Sequence, residues 1–376
     1  MKRLLTIGHS YVVAQNRRLA HEIAAQGRGT WEVTAAAPER FAGDLRQIQL
    51  EPLEGEACRL MPLPVHFDSV AHLMMYGRGL GALLRQPWDL IHCWEEPYVA
   101  AAYQIARLAP AGSRLVFASF QNISKRYPPP FNWFEHRVVR RANGWIAFGN
   151  TVRDVLASRD GYAARPSRVI PPGVDVAQFT PDAETRARVR QKLGWDDAIP
   201  VVGFLGRFVE AKGIRLLTSM LPSLGAPWRA LFVGDGPELA HLRQFEASHR
   251  SHVAIATGVP HDNVPEYLNA MDLLCAPSQS TPAWREQFGR MTIEAMACGV
   301  PVVASESGEI PHVVGDAGVI VGERDAAGWK SAVETLIGDA ARRRQLAARG
   351  RERACAEFAW AVVARRHLEF FETLVP

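Results

Sequence analysis

A chain of 376 residues is too long for one ordinary hydrophobic core and fits two domains. Hydrophobic residues make up 48% and charged residues 22%, a globular balance, and no apolar run reaches the roughly 18 residues that span a bilayer. The net charge of +4 gathers at the front, with 17 Lys and Arg against 12 Asp and Glu in residues 1–150 and 26 against 27 after them; this falls far short of a nucleic-acid-binding signature.

Such a mild basic bias suits an anionic membrane surface or an acidic acceptor, and it equally suits an unremarkable surface. Five scattered cysteines without a C-x-x-C pair argue against a disulfide framework or structural zinc and for a reducing cytoplasm. The opening Met1-Lys2-Arg3-Leu4-Leu5-Thr6-Ile7 is apolar for too short a stretch before Gly8-His9-Ser10 to be a signal peptide, and reads as a strand.

Buried strands are expected at 3–7, 32–36, 90–93, 115–118 and 144–148, with helices such as 17–25 and 98–108 between them. Residues 169–175, Val-Ile-Pro-Pro-Gly-Val-Asp, break the pattern, and the polar stretch 181–200 leads into a second series. Its strands are expected at 201–205, 230–233, 253–256, 273–276 and 302–304, and its helices at 216–221, 239–248, 264–271 and 290–298. An aromatic-rich amphipathic helix over 358–374 closes the chain. Strand–helix alternation means parallel sheets with helices on both faces. The expected architecture is therefore α/β, with two doubly wound domains: 1–170 and 171–357. Ligands in such sheets bind beyond the carboxyl ends of the strands, so a cleft between the domains should hold the chemistry.

Two constellations carry chemical promise. In Gly203-Phe204-Leu205-Gly206-Arg207-Phe208-Val209-Glu210-Ala211-Lys212-Gly213, a strand runs into a loop with two cations. Such a loop suits a diphosphate leaving group, although ordinary loop cations would look the same. Lysine occurs only five times in the chain, so one kept here fits a compact point charge. In Glu286-Gln287-Phe288-Gly289-Arg290-Met291-Thr292-Ile293-Glu294, the glutamates would lie about 80° apart on one continuous helix. They separate better with Glu286 in a loop, Gly289 at a helix start and Glu294 on the helix, whose end could bind phosphate. Spacing alone also allows two solvated surface glutamates. Gly234-Asp235-Gly236-Pro237 lacks the third glycine of a dinucleotide fingerprint and reads as a tight turn. No Walker A motif, H-E-x-x-H or D-x-D pair points to a nucleoside triphosphate or a metal.

Taken in order, these motifs resemble the retaining GT-B glycosyltransferases of family 4, the glycosyl transferases group 1. The likeness extends through Glu294-Ala295-Met296-Ala297-Cys298-Gly299-Val300-Pro301, Gly308-Glu309-Ile310-Pro311 and Gly315-Asp316-Ala317-Gly318, and covers roughly residues 165–365. Ile170-Pro171-Pro172-Gly173-Val174-Asp175 is similar to the family's linker, with Pro172 where Asn is common. The resemblance implies two Rossmann-like domains with an inter-domain cleft, and a last helix, 358–376, crossing back to the first domain. It implies that Arg207 and Lys212, with Gly206, hold the diphosphate. Glu286 and the backbone of Gln287, Phe288 and Gly289 would hold the donor sugar, Glu294 the ribose hydroxyls, and the backbone near Val259 the base. No cofactor or metal would be needed, and the anomeric configuration would be retained. The partners would be a nucleotide-sugar donor and a glycan, lipid-linked or small-molecule acceptor.

The first half departs from the family. A single glycine stands in Gly8-His9-Ser10-Tyr11 where a pair is common, and Gln121 in Ser119-Phe120-Gln121-Asn122 replaces a common histidine. Gln121 can orient a substrate but not carry a charge-changing proton. His9, Glu95 and Glu96 are the alternative acceptor-side groups, although a lone loop histidine is often structural. The stretch 125–134, Lys-Arg-Tyr-Pro-Pro-Pro-Phe-Asn-Trp-Phe, either folds over the cleft or dips into a lipid interface, giving peripheral contact with the inner face of a membrane. Two rival readings share the scaffold: a silent nucleotide-sugar-binding protein and a nucleotide-sugar epimerase.

Overall fold

The computed structural model describes residues 1–42 and 47–375. The chain divides into two units, Met1–Gly173 with Trp360–Pro376, and Val174–Ala359. Each is built on one parallel sheet.

The strands of the first sheet are β1 (Lys2–Ile7), β2 (Trp31–Pro38), β3 (Arg59–Leu63), β4 (Leu90–Cys93), β5 (Arg114–Ser119), β6 (Gly144–Ala147) and β7 (Ser167–Val169). They lie in the order 7-6-5-4-1-2-3. The second sheet holds β8 (Val201–Leu205), β9 (Arg229–Val233), β10 (Val253–Ala256), β11 (Leu273–Ala276), β12 (Val302–Ser305) and β13 (Gly318–Val321), ordered 10-9-8-11-12-13. Both are the doubly wound order in which the chain reverses direction beside the first strand. That reversal opens a crevice at the carboxyl ends of β1 and β4 in one unit, and of β8 and β11 in the other.

All ten expected strands are present: nine are central, where burial on both faces gives continuous apolar runs, and β10 is an edge strand whose Val-Ala-Ile-Ala is apolar throughout. Within the two sheets the strands not anticipated are β3, β7 and β13, which close sheet edges and are only partly buried, and outside them two short ribbons, Arg40–Ala42 with Gln47–Gln49 and Val65–His66 with Met75–Tyr76, were not anticipated either. The stretch 181–200 holds a helix, Ala183–Lys192, started by the Asp182 side chain accepting from the Thr185 amide at 2.9 Å. Its polar sequence hides a buried anchor: Arg190 bonds Asp272 at 2.5 Å and Asp197 at 2.7 Å.

Four further helices matter below: α1 (Ala14–Gln26), α2 (Phe131–Arg141), α3 (Arg290–Ala297) and α4 (Trp360–Leu374). The closing helix starts at Trp360, two residues later than expected, after an irregular turn over Ala354–Phe358. In α4 the buried residues Trp360, Val363, Ala364, His367, Leu368 and Phe371 recur at helical spacing. They pack with Leu19, Ile23 and Trp31 on one face of the first sheet. Full burial of a side chain such as Phe371 contributes about 1.5–3 kcal/mol, so α4 is a structural part of that unit.

Candidate active site

In the second unit, backbone proximity dictates the loop sequence. After β8, the Gly206 amide bonds the Val233 carbonyl at 3.0 Å, and the Phe208 amide bonds the Asp235 carbonyl at 2.7 Å. A Cβ on Gly234 would lie 1.9 Å from the Gly206 oxygen, and one on Gly236 would lie 2.6 Å from the Phe208 oxygen. The Gly-Asp-Gly turn is therefore the seat of the Gly206–Arg207 loop. Gly213 has a positive φ of 71°, and its Cβ would strike the Pro277 oxygen at 1.9 Å. That contact locks Lys212 against the segment after β11.

There Lys212 Nζ bonds Glu286 Oε2, and the same oxygen accepts from Ser278 Oγ at 2.7 Å. The Lys212 ammonium also lies 5.2 Å from the centre of the Trp284 ring. Glu286 is buried, and a Cβ on Gly308 would lie 1.9 Å from its carbonyl oxygen, so the Gly308-Glu309 motif makes room for it. Glu286 lies before α3, Gly289 caps α3 with a φ of 83°, and Glu294 is buried on α3. Phe288 and Gly289 are buried while Gln287 is exposed. The α3 N-terminus, with its outward N–H groups, thus opens beside the Lys212–Glu286 pair.

Arg207 is exposed and makes no ion pair among the described residues. Val259 is half-buried in the loop after β10. The same loop supplies a residue that sequence reasoning missed: His261 Nε2 lies 3.0 Å from Glu294 Oε1, its ring tilted against Phe179 at 5.2 Å. A lone histidine 33 positions before its glutamate leaves no local spacing to read.

The first unit has a different chemistry at the same place in its sheet. The Gly8 loop after β1 packs on Trp94, where a Cβ would come within 2.8 Å of the Trp94 Cβ. The Glu95 carboxylate accepts from the His9 amide at 2.7 Å, lies 2.5 Å from His9 Nδ1, and accepts from the Tyr76 hydroxyl at 2.8 Å. Burial alone would lower the His9 pKa, but Glu95, through charge and hydrogen bond, and Glu96, through charge, raise it. Glu96 accepts from Ser119 Oγ and from the Phe120 amide, each at 2.6 Å. Burial pushes its carboxyl up to about 7, against those hydrogen bonds. His9, Glu95 and Glu96 are thus brought together, with Tyr76 added; Tyr76 sits on a short ribbon whose strands are two residues long. Gln121 lies two residues past β5, its Nε2 donating to the Ile123 carbonyl at 2.8 Å.

The stretch 125–134 holds no buried residue: Tyr127 stacks on Tyr98 at 4.0 Å and Phe134 on Tyr103 at 4.8 Å, both half-buried, while Lys125, Arg126, the three prolines and Trp133, at 43%, are exposed. Among the described residues no helix is long and apolar enough to cross a membrane.

Comparison with known proteins meets this geometry. The model of Glycosyltransferase Family 4 matches residues 12–178, and that of Glycosyl transferases group 1 matches 185–353. The chain is 32% identical over 284 residues to the GDP-mannose-dependent alpha-(1-6)-phosphatidylinositol monomannoside mannosyltransferase of Mycolicibacterium smegmatis, covering 72% of this chain and 74% of that one. It is 30% identical over 349 residues to the D-inositol 3-phosphate glycosyltransferase of Salinispora arenicola, covering 86% and 71%. Among solved structures, HepE of Anabaena in complex with UDP superposes with a TM-score of 0.77 at 20% identity, covering 99% of this chain and 100% of that one. Sucrose-phosphate synthase of Thermosynechococcus elongatus does so with 0.73 at 20% identity, covering 100% and 99%. Two doubly wound units in one chain, with this loop chemistry, are those of a GT-B glycosyltransferase. The chain belongs to glycosyltransferase family 4, the glycosyl transferases group 1.

Proposed function

We propose that the protein moves a sugar from a nucleoside-diphosphate sugar to a hydroxyl of a glycan, lipid-linked or small-molecule acceptor, retaining the anomeric configuration and needing no metal ion or cofactor. The observation that carries this is the Lys212–Glu286–Ser278 cluster beside the Gly289-capped start of α3. A cation and a helix N-terminus at one point suit a diphosphate that gains charge as it leaves. Arg207, exposed in the adjoining loop, would close on the same phosphates. Glu286, already accepting from a hydroxyl and an ammonium, would hold hydroxyls of the donor sugar next to the breaking bond. Glu294, steadied by His261, would take the ribose hydroxyls, and the Val259 backbone the base. The names of the Mycolicibacterium smegmatis and Salinispora arenicola relatives, with GDP-mannose as a donor and phosphatidylinositol monomannoside or D-inositol 3-phosphate as acceptors, support a polyol or glycolipid acceptor.

On the acceptor side, His9 and Glu96 would meet the attacking hydroxyl, with Gln121 orienting it. The leaving phosphate oxygen takes the acceptor's proton in a same-face reaction, so the carboxylates here orient and polarise. For location, the basic excess and exposed Trp133, Phe67 and Leu73 support peripheral contact with an anionic membrane.

The test is a nucleotide-sugar panel with purified protein. Release of nucleoside diphosphate, survival of activity in EDTA, and a product whose anomeric signal by NMR matches the donor are expected. Donor converted to its own epimer would replace this reading with epimerisation. Binding without turnover across acceptors would replace it with a silent binding protein, and dependence on added Mg²⁺ or Mn²⁺ would overturn the metal-free step.

A further inference from the structure

No role above uses Glu323, yet it grips the loop that carries Glu286. Glu323 stands two residues past the end of β13, as Ser307 does past β12 and Ser278 past β11. These strands are parallel neighbours, with Ser305 level with Val321 and Ala276 level with Ala304. Equal reach beyond adjacent carboxyl ends brings the three side chains to one rim of the second sheet. The Glu323 carboxylate accepts from the Ser280 amide at 2.6 Å and from Ser280 Oγ at 2.5 Å. Ser280 Oγ lies 2.9 Å from Ser307 Oγ, which accepts from the Glu286 amide at 3.4 Å. The Glu323 carbonyl also accepts from the Gln279 side chain at 3.3 Å. The ordinary duty of an acidic residue in this loop, starting the next helix, falls to Asp325, whose side chain accepts from the Gly328 amide at 2.9 Å.

A carboxylate has no proton to give, and this orders the hydroxyls. Ser280 spends its proton on Glu323, so Ser307 donates to Ser280, and a free lone pair of Ser307 faces the Glu286 amide. Glu286 is thus held at its backbone by Ser307 and at its carboxylate by Ser278 and Lys212. Ser278 and Ser307 are buried, so a lost partner there leaves a hydroxyl without water to replace it. Between the two ends the loop turns back on itself. Thr281 and Trp284 exchange backbone bonds at 2.8 and 3.3 Å, which sets the Trp284 ring beside the Lys212 ammonium.

We infer that Glu323 is a positioning residue for the donor sugar: acting through Ser280 and Ser307, it holds Glu286 in place. The inference rests on the donor-side reading above and adds the residue that fixes its geometry. Calorimetry on the full chain compares UDP-glucose, GDP-mannose and ADP-glucose with UDP, GDP and ADP. On the pair that binds, Glu323→Ala should weaken the nucleotide sugar about three- to tenfold, as one lost hydrogen bond does, and leave the nucleoside diphosphate within about twofold. Ser280→Ala, which breaks the same chain at its middle, should show the same split and serves where Glu323→Ala does not fold. In the Glu286→Gln background Glu323→Ala should cost nothing further, because residues that act through one another are not additive. Equal losses on nucleotide sugar and diphosphate, additive losses in the double variant, or unchanged binding in both Glu323→Ala and Ser280→Ala would overturn the inference. If Glu286→Gln weakens the nucleotide sugar while both of those variants match the parent, only the role of Glu323 falls. If Glu286→Gln itself binds like the parent, or the parent binds none of the six compounds, the donor reading falls and this inference with it.

Discussion

The two crevices of the molecule share one backbone plan and differ in charge. Beyond β8 and β11, a lysine meets a glutamate beside a helix start, and glycines are dictated by backbone oxygens less than 3 Å from where a Cβ would be. Beyond β1 and β4, two adjacent glutamates gather donors from His9, Tyr76, Ser119 and Phe120. The first arrangement suits a departing anion, and the second suits a hydroxyl that must be oriented and polarised. One doubly wound scaffold can thus carry either chemistry, depending on which side chains its loops hold.

The largest effect should come from Glu286. Replacing it with Gln removes a buried contact whose strength should rise as the donor sugar gains charge, and kcat should fall by about 10²–10³, the scale for one preorganised transition-state contact. Glu95→Gln in the other crevice should cost less, because Glu95 acts through His9 and does not touch the breaking bond. Equal losses in both would erase the distinction between the crevices. A next, smaller effect concerns Arg207. Since it is exposed and unpaired among the described residues, Arg207→Ala should leave the melting temperature unchanged. Nucleoside-diphosphate binding should weaken by about 1.5–3 kcal/mol, the range for a hydrogen bond to a charged group. Titration calorimetry reads this directly, and unchanged affinity would remove Arg207 from the phosphate site.

The same contrast explains what could be read from the sequence. The crevice proposed for the donor was legible because glycines mark it: Gly206, Gly213, Gly234, Gly289 and Gly308 all have positive φ, three of them against a backbone oxygen, in motifs that resemble those of the family. His261 escaped because its tie to Glu294 is a side-chain contact between distant loops. The acceptor-side crevice was legible only as loose candidates. His9, Tyr76, Glu95 and Ser119 come from four separate segments, and Tyr76 rides on a ribbon too short for any periodicity. Edge strand β3 escaped because Arg59 and Pro62 interrupt its apolar run, whereas β13, Gly-Val-Ile-Val, carries the same short apolar signal as the anticipated edge strand β10.

A third difference between the units is acid sensitivity. His92 and His367 are both fully buried in the first unit, ring centres 5.6 Å apart, and neither Nε2 has a partner among the described residues. Burial, helped by the neighbouring His367, holds His92 well below the ordinary histidine value; burial also lowers His367 to about 4, against the hydrogen bond its Nδ1 donates to the Val363 carbonyl. Both are neutral in the fold, whereas the unfolded chain takes up protons near 6.5, so unfolding binds more protons between these values. Stability should therefore be full above about pH 6.5 and decline as pH falls toward 4. At about 1.4 kcal/mol per pH unit, His367 alone should cost about 2 kcal/mol between pH 6.5 and 5. Urea unfolding followed at both pH values should show this loss, and His367→Phe, which adds no charge, should reduce it. A stability flat from pH 7 to 5 would mean that water reaches the pair.

The smallest effect should be the most informative about acceptor-side chemistry. The Glu96 carboxylate holds the Ser119 hydroxyl and the Phe120 amide, and so sets the loop that carries Gln121. With its carboxyl pushed up to about 7 by burial, Glu96 is ionised above that pH and takes a proton below it. Protonation turns an acceptor of two hydrogen bonds into a partial donor, so the loop should loosen and transfer should slow on the acid side. The expected kcat–pH profile has one acid limb with a midpoint near 7 and a fall of about tenfold or less, since only orientation is lost. Glu96→Gln should flatten that limb, because a neutral amide cannot titrate. Gln121→Ala should lower kcat a few-fold at every pH while leaving the limb in place. His9 is the competing origin, since it too is titratable and, against its burial, the Glu95 carboxylate raises its pKa above the ordinary histidine value. A limb that persists in Glu96→Gln and vanishes in His9→Asn would transfer the titration to the His9–Glu95 pair. The sense of the effect would stay the same, with activity lost on protonation, but the active species would then be the neutral imidazole, and a proton-accepting step, rather than loop orientation, would distinguish this crevice from the other.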